Sequence, residues 1–284
     1  MMQQLSTFSH GSQLSFEVFP PKKWESFPNL YETLDALKEL SPSFISCTYG
    51  AGGSNSKKTA EIVSYIQNKL KIEGIAHLTC AALTKEDFLS TIRDFQEKGI
   101  HNVLALRGDR PVDMSEDVFQ NRTYKHPSEL IPLLKKEGFT VAGACYPEKH
   151  YEASSLEEDI HFLKHKVEQG TDFLISQLFF NNDVFYRFLE MCRAAHICVP
   201  IEAGIMPITN AKMIGTTIKL SGASIPKTMA DLLAHYADSP EDMRKAGIDF
   251  AIRQIEDLQA HSVDGIHIYT MNHADVARDI CHAL

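Results

Sequence analysis

A single carboxyl side chain interrupts the first apolar run of the sequence. Glu17 lies between Phe16 and Val18 in the run Leu14–Phe19, which has the character of a buried strand. Because side chains alternate along a strand, Glu17 points to the opposite face from both neighbours. A buried carboxyl without an evident partner has a raised pKa, which suits a general acid. A structural glutamate held by a salt bridge would show the same pattern, so both interpretations stay open.

Polar residues also end the next three apolar runs. Thr48 and Tyr49 precede a glycine-rich turn, which would serve as an anion site or as a plain tight turn. His77 lies in the third run, either as a core histidine or as a contact to a cofactor. Arg107 and Asp109 follow the fourth run, where they would bind a phosphate and a polar heterocycle or form only a salt-bridged turn.

The fifth and sixth runs add further polar groups. The fifth ends at Tyr146 within Ala144–His150, and the sixth contains Gln177, which would contact a ligand or act as a satisfied core amide. Alternation turns three cysteines toward the helices as small core hydrophobes: Cys47, Cys80 and Cys145. The chain has no His-Glu-x-x-His motif and no clear histidine–cysteine cluster, so we expect no metal.

The apolar runs are the strands that must position these side chains, and they alternate with longer segments of helical periodicity. The runs are Leu14–Phe19, Phe44–Tyr49, Ala76–Cys80, Asn102–Leu106, Val141–Tyr146, Phe173–Phe179, Pro200–Ile205 and Gly265–Thr270. The long gap before the last run predicts an extra helix near Lys227–Tyr236 ahead of a long helix, Pro240–Ala260. This pattern predicts an α/β fold: a single-domain (β/α)8 TIM barrel over residues 1–284, with 1–13 as a flexible N-terminal extension.

Composition and charge restrict the partners. The chain has 284 residues, is 44% hydrophobic and carries a formal net charge of −9. A negative charge disfavours binding to nucleic acid and to anionic membranes. No apolar run approaches the ~20 residues of a membrane span, and the first residues lack the apolar core of a signal peptide. We therefore expect a cytoplasmic protein with reduced cysteines, without nucleic-acid or membrane partners. We also expect a homo-oligomer, an expectation that does not follow from composition or charge.

Seven motifs, in order along nearly the whole chain, resemble those of the methylenetetrahydrofolate reductase family in its bacterial form, which is the catalytic barrel only. They are FEVFPPK (Phe16–Lys22), TYGAGG (Thr48–Gly53), AHLTC (Ala76–Cys80), ALRGD (Ala105–Asp109), CYPEKH (Cys145–His150), ISQLFF around Gln177, and GIMPITN (Gly204–Asn210). The resemblance implies FAD-dependent reduction of 5,10-methylenetetrahydrofolate to 5-methyltetrahydrofolate, with electrons from NAD(P)H. Such a reaction belongs to one-carbon metabolism and methionine biosynthesis.

The resemblance also implies a role for each site residue. Glu17 would be the general acid that opens the folate ring, and Asp109 would bind the pterin and tune the flavin. The implied substrate contacts are Glu17, Asp109, Gln177 and His273. The implied FAD contacts are Thr48, Tyr49, Ala51, His77, Arg107, Gly108, Asp109, Tyr146, His150, Asp159 and Lys166.

Three positions depart from the NADH-using bacterial members. Met213, Thr217 and His273 stand where those members carry glutamine, phenylalanine and arginine. Because Thr217 lacks a ring to order a dinucleotide, we predict weak binding of free NADH and NADPH. The donor is therefore open between NADH, NADPH and a redox partner subunit. A folate- or pterin-binding barrel without redox activity is the alternative from another class.

Overall fold

A computed structural model describes residues 13–49, 56–111 and 113–284. Eight parallel strands close into a barrel in the order of the sequence, and β8 pairs with β1. The strands are β1 Gln13–Val18, β2 Phe44–Cys47, β3 Glu73–Thr79, β4 Asn102–Leu106, β5 Thr140–Cys145, β6 Phe173–Ser176, β7 Ile201–Ile205 and β8 Gly265–Tyr269. The predicted (β/α)8 barrel is therefore confirmed.

Amphipathic helices surround the barrel, and most of them bury apolar side chains. They are α1 Phe27–Lys38, α2 Ser56–Ser64, α3 Lys85–Glu97, α4 Glu116–Gln120, α5 Pro127–Lys136, α6 Leu156–Glu168, α7 Asn182–Ala194, α8 Ala211–Ser221, α9 Lys227–Tyr236, α10 Pro240–Ala260 and α11 Ala274–Ala283. A 3-10 turn, Trp24–Ser26, precedes α1, and a π-helix, Tyr65–Leu70, continues α2. The predicted extra helix is α9, and none of the described helices is both long and apolar enough to cross a membrane.

The strands separate two kinds of buried surface. Phe16 and Val18 of β1 lie in the large apolar layer between strands and helices, as alternation predicted. The same layer contains the predicted cysteines Cys47, Cys80 and Cys145, all of them free thiols. Inside the barrel a smaller apolar cluster packs Phe44, Ile75, Leu104, Ala142, Phe173 and Ile175. The polar interior residues lie beside and above this cluster.

The start of the chain differs slightly from the predicted boundary. β1 begins at Gln13, which was predicted as the last residue of a flexible extension. Gln13 pairs with Gly265, so the closing contact between β1 and β8 already includes it. Residues 1–12 lie outside the described residues, and their predicted flexibility stays a prediction.

Candidate active site

Glu17 points into the barrel, as the alternation of β1 predicted. Its Oε2 lies 3.4 Å from Ser46 Oγ of β2 and 3.4 Å from His77 Nε2 of β3. His267 of β8 places its Nε2 at 3.7 Å from the same oxygen, and the Glu17 side chain is 18% exposed. Three strands therefore surround one carboxylate oxygen, while part of the side chain stays accessible.

The protonation of Glu17 differs from the sequence prediction. Burial raises its pKa, but the hydrogen bond to His267, the charges that His77 and His267 can carry and the hydrogen bond from Ser46 outweigh burial. The pKa of Glu17 is thus lowered, and the predicted raised pKa is wrong because the partners come from distant strands. Glu17 is a carboxylate near neutral pH, so it must receive a proton before it can act as an acid.

His77 offers an unused polar atom beside Glu17. Burial lowers its pKa to about 4, which leaves the ring neutral near neutral pH. Its Nε2 is buried and has no hydrogen-bond partner among the described residues, although Glu17 Oε2 is 3.4 Å away. Buried polar atoms are seldom left unpaired, so this nitrogen is available to a ligand group in the mouth.

Arg107 follows β4 and binds a loop that the sequence prediction did not include. Its Nη1 donates to Glu152 Oε1 at 2.5 Å, and its Nη2 donates to the Tyr151 hydroxyl. The guanidinium also lies over the Tyr151 ring, 5.1 Å from its centroid. Asp109 Oδ1 is 3.9 Å from Arg107 Nη2, and its side chain is 89% exposed. The predicted Arg107–Asp109 pair is therefore looser than the contacts from the loop after β5.

Gly108 holds these two residues at the rim. Its φ is +76°, a left-handed conformation that non-glycine side chains rarely adopt. A Cβ at this position would lie 2.7 Å from the Cβ of Thr79 at the end of β3. The sequence Arg-Gly-Asp after β4 is therefore a backbone turn packed closely against the end of β3, with Arg107 largely buried and Asp109 exposed.

The predicted cofactor residues of the β5–α6 unit form one connected group. The rings of Tyr146 and His150 meet edge to face, with centroids 4.9 Å apart. The His150 backbone N–H donates to Asp159 Oδ2 at 2.9 Å, and Lys166 Nζ donates to the Ala144 carbonyl at 2.5 Å. Burial raises the pKa of Asp159 and lowers that of Lys166. Asp159 and Lys166 of α6 thus hold the backbone at the end of β5 and in the loop that follows it.

The remaining predicted residues surround the mouth at different depths. Gln177 follows β6. Its backbone N–H donates to the Cys145 carbonyl at 2.7 Å, and its side-chain Oε1 accepts from the Leu178 N–H at 2.9 Å. His273 precedes α11 and is 63% exposed, so it lies at the outer edge. Thr48 and the buried Tyr49 follow β2, and Ala51 lies outside the described residues.

The positions that depart from the family pattern lie on another element. Met213 and Thr217 belong to α8, after β7, and both are partly buried. The Thr217 carbonyl accepts the Ser221 hydroxyl at 2.8 Å, and Met213 Sδ lies 3.8 Å from Thr209 Oγ1. These contacts are local to the helix and its start, so the effect of Met213 on the folate contacts and that of Thr217 on the donor stay predictions.

Residues 2–284 match the family model described as methylenetetrahydrofolate reductase. The chain belongs to the methylenetetrahydrofolate reductase family. The 5,10-methylenetetrahydrofolate reductase of Escherichia coli is 33% identical over 283 residues, covering 99% of this chain and 94% of that one. Methylenetetrahydrofolate reductase (NADH) 1 of Arabidopsis thaliana is 35% identical over 272 residues, which cover 91% of this chain and 46% of that longer protein.

One solved structure agrees with the barrel. A Clostridium thermocellum protein, described as binding two copies of 5-methyl-5,6,7,8-tetrahydrofolic acid, has a TM-score of 0.69 over 97% of this chain and 96% of its own. Its sequence is only 16% identical, so the likeness supports the fold alone. This methylenetetrahydrofolate reductase family member is an oxidoreductase, and its family is generally flavin-linked.

Several interior residues of this reductase-family barrel were not predicted as site residues. Ser15, Ser46, Glu202 and His267 are fully buried and connect to Glu17 through hydrogen bonds and ion pairs. Glu202 shows the same signal as Glu17, a lone charge within an apolar run. Throughout the part of the chain that the structure describes, no group of three or more His, Cys, Asp or Glu side chains is placed to hold a metal ion.

Proposed function

We propose that this chain reduces 5,10-methylenetetrahydrofolate to 5-methyltetrahydrofolate with FAD as cofactor and NAD(P)H as electron source. The observation that carries this proposal is Glu17 itself, a carboxyl inside the barrel mouth whose exposed part faces the end where such barrels act. Family membership supports the substrate, since the Escherichia coli relative bears the name of that reaction.

The residues at the mouth fit a flavin. The unpaired Nε2 of His77 is available to a polar atom of the cofactor, and the rings of Tyr146 and His150 offer an aromatic and polar surface after β5. Arg107 supplies a cation suited to a diphosphate once the exposed Glu152 yields its place. A bound FAD would supply the two-electron redox chemistry that these side chains lack.

The protein's own part of the reaction is proton transfer and orientation. Protonated Glu17 would pass its proton to the ring nitrogen of the folate that leaves, which opens the five-membered ring to an iminium ready for reduction. Positioned acid catalysis of this kind contributes typically ~10²–10⁴-fold in rate. Asp109, at the rim, and Gln177, after β6, are proposed to orient the pterin, which supplies the ordering that a two-substrate reaction needs.

The proposal is tested first by colour. We expect the purified protein to be yellow and to release FAD on heating or acid treatment, because the mouth offers the contacts described above. A colourless protein that takes up no FAD on reconstitution would contradict the flavoenzyme proposal and favour a barrel that binds folate without redox activity.

A second measurement identifies the donor. Anaerobic addition of NADH or NADPH to the flavoprotein should bleach its visible absorption, and subsequent addition of methylenetetrahydrofolate should restore it. Bleaching by dithionite but by neither dinucleotide, with intact folate reduction, would instead favour a redox partner subunit as donor. Thr217 is the feature that keeps this alternative open.

A further inference from the structure

The barrel contains a second buried carboxyl, on the opposite side of His267 from Glu17. Glu202 is the second residue of β7, and its side chain is fully buried. Its Oε2 lies 2.5 Å from Ser15 Oγ, while its Oε1 has no hydrogen-bond partner in the described parts of the chain. A Cβ on Gly265 would lie 3.0 Å from Glu202 Oε1, so the glycine at the start of β8 leaves room for this side chain.

These surroundings favour the neutral acid. Burial raises the pKa of Glu202 to about 8, the Ser15 hydrogen bond opposes this, and the charge of Asp264 adds to it. A carboxylate with an unpaired, fully buried oxygen would be far less stable than a carboxylic acid in the same position. Near neutral pH the proton is therefore on Glu202, while Glu17 is ionised.

A line of hydrogen bonds joins the two carboxyl groups. Ser15 Oγ lies 2.7 Å from His267 Nδ1, and on the other side of the ring Nε2 lies 3.4 Å from Ser46 Oγ. Ser46 Oγ is in turn 3.4 Å from Glu17 Oε2. Each hydroxyl has one proton to donate and can accept another, so every member can donate toward Glu17 and accept from the Glu202 side.

Aromatic packing holds the central ring of this line. Phe44 stacks on His267 with ring centroids 5.6 Å apart, and Tyr269 meets it edge-on at 5.4 Å. Two sets of titratable or charged groups face the two carboxyls. Around Glu202 they are His267, Asp264 and Tyr269, and around Glu17 they are His77, His267, Tyr269 and Cys47. A polar line that crosses an apolar interior is expensive to bury unless each of its groups is hydrogen-bonded.

We propose that Glu202 stores the proton that Glu17 delivers to the folate, and that Ser15, His267 and Ser46 conduct it between the two carboxyl groups. This role rests on the proposed function. A substrate in contact with Glu17 covers the exposed part of its side chain, so that a proton then has to come from within the barrel. The two hydrogen bonds of Ser46 are the longest in this line, at 3.4 Å each. A small shift of Ser46 would therefore complete or interrupt proton transfer between the two carboxyl groups.

The transfer balances without any redox partner. The Oε2–H bond of Glu202 breaks and its proton bonds to Ser15 Oγ, while the Ser15 proton moves to His267 Nδ1. The proton on His267 Nε2 passes to Ser46 Oγ, and the Ser46 proton bonds to Glu17 Oε2. No electron moves, the negative charge passes from Glu17 to Glu202, and the imidazole ends in its other tautomer.

Infrared spectroscopy tests where the proton resides, independently of turnover. The purified protein should show the C=O stretch of a buried carboxylic acid near neutral pH, and the band should fade as the pH rises through about 8. Glu202→Gln should remove the band, while Glu17→Gln and the exposed control Glu190→Gln on α7 should keep it. Absence of the band from the unmodified protein overturns the proposal, whatever the turnover assays show.

Stopped-flow kinetics test the transfer. Glu202→Gln should slow reoxidation of the reduced flavin by methylenetetrahydrofolate by at least about tenfold, a fraction of full acid catalysis. Reduction of the flavin by its donor should not change. In the unmodified protein the rate of flavin reoxidation should fall above pH ~8, where Glu202 loses its proton. In the Glu202→Gln variant the same rate should begin to fall at a lower pH.

Ser15→Ala is the matched variant, because it removes the hydroxyl that joins Glu202 to His267. It should slow the same step while the infrared band persists, and Ser15→Thr, which restores the hydroxyl, should recover most of the rate. An unchanged rate and pH profile in both Glu202→Gln and Ser15→Ala would overturn the relay. If the unmodified protein reduces no folate at all, the proposed function fails, and the infrared band still decides whether Glu202 holds the proton.

Discussion

Glu17 and Arg107 lie at the same end of the barrel, but different kinds of structure hold them. Glu17 is fixed by side chains from β2, β3 and β8, whose strands are paired along their length. The partners of Arg107 come from the loop after β5, where Tyr151 is 65% exposed. Proton chemistry depends on fixed distances in a dry interior, whereas a large cofactor must enter past side chains that can move.

The largest expected effect is the loss of folate reduction in the Glu17→Gln variant. This variant should fold and bind FAD, because the amide is nearly the same size, and it should accept electrons from the donor at the normal rate. Folate reduction should fall by roughly 10²–10⁴-fold, the magnitude of general acid catalysis. Stopped-flow measurement of the two half-reactions separates the effects, and equal loss in both would show that Glu17 has a structural role instead.

Much of the interior could be predicted from the sequence, because it follows from local alternation. A lone charge at Glu17 within an apolar run was sufficient to orient it inward, and the same argument applied to Glu202 would have identified the second carboxyl. The charge state could not be predicted in this way, because Ser46, His77 and His267 approach Glu17 from strands far apart in sequence. Orientation is a local property, whereas pKa depends on the tertiary neighbours.

The rim was harder to predict for a related reason. Tyr151 and Glu152 directly follow the CYPEKH motif, yet nothing in their spacing shows that they bind Arg107 across more than 40 residues. The start of one strand was also predicted incorrectly. β3 begins at Glu73 rather than Ala76, because Glu73 and Gly74 already pair with Phe44 and Ile45 of β2. The polar Glu73, which accepts from Asn102 Nδ2 at 2.8 Å, is not part of an apolar run, so hydrophobicity does not reveal this start.

An intermediate effect, on the free energy of unfolding, is expected for a substitution in the backbone turn between Arg107 and Asp109. Gly108→Ala combines a left-handed φ of +76° with a 2.7 Å approach to Thr79 Cβ, and should lower the free energy of unfolding by about 2–5 kcal/mol. Gly222→Ala is the matched control, because its φ is +72° but a Cβ there has nothing within 4 Å. It should lose about 1–2 kcal/mol. Urea denaturation of both measures the difference, and equal losses would show that the rim can shift away from Thr79.

The smallest expected effect concerns the ion pair at the rim, and it has the opposite sign. Glu152 competes with any anionic ligand for Arg107, because its Oε1 accepts from Nη1 at 2.5 Å. An ion pair with a carboxylate 53% exposed contributes little, about 0–1 kcal/mol, and salt screens it. Glu152→Gln should therefore tighten FAD binding by roughly two- to fivefold at low ionic strength, and less at high ionic strength.

Glu157→Gln is the control for this change, because it removes the same charge from an exposed position at the start of α6. Titration of the apoprotein with FAD at two salt concentrations measures both variants. If tightening in Glu152→Gln exceeds that in the control, the loop competes directly for the guanidinium that the cofactor needs. Equal tightening would mean that only net charge matters, and weaker binding would mean that Glu152 holds Arg107 in the orientation that FAD requires. In that last case the rim would be a fixed site like the interior, and the contrast between the two regions would not hold.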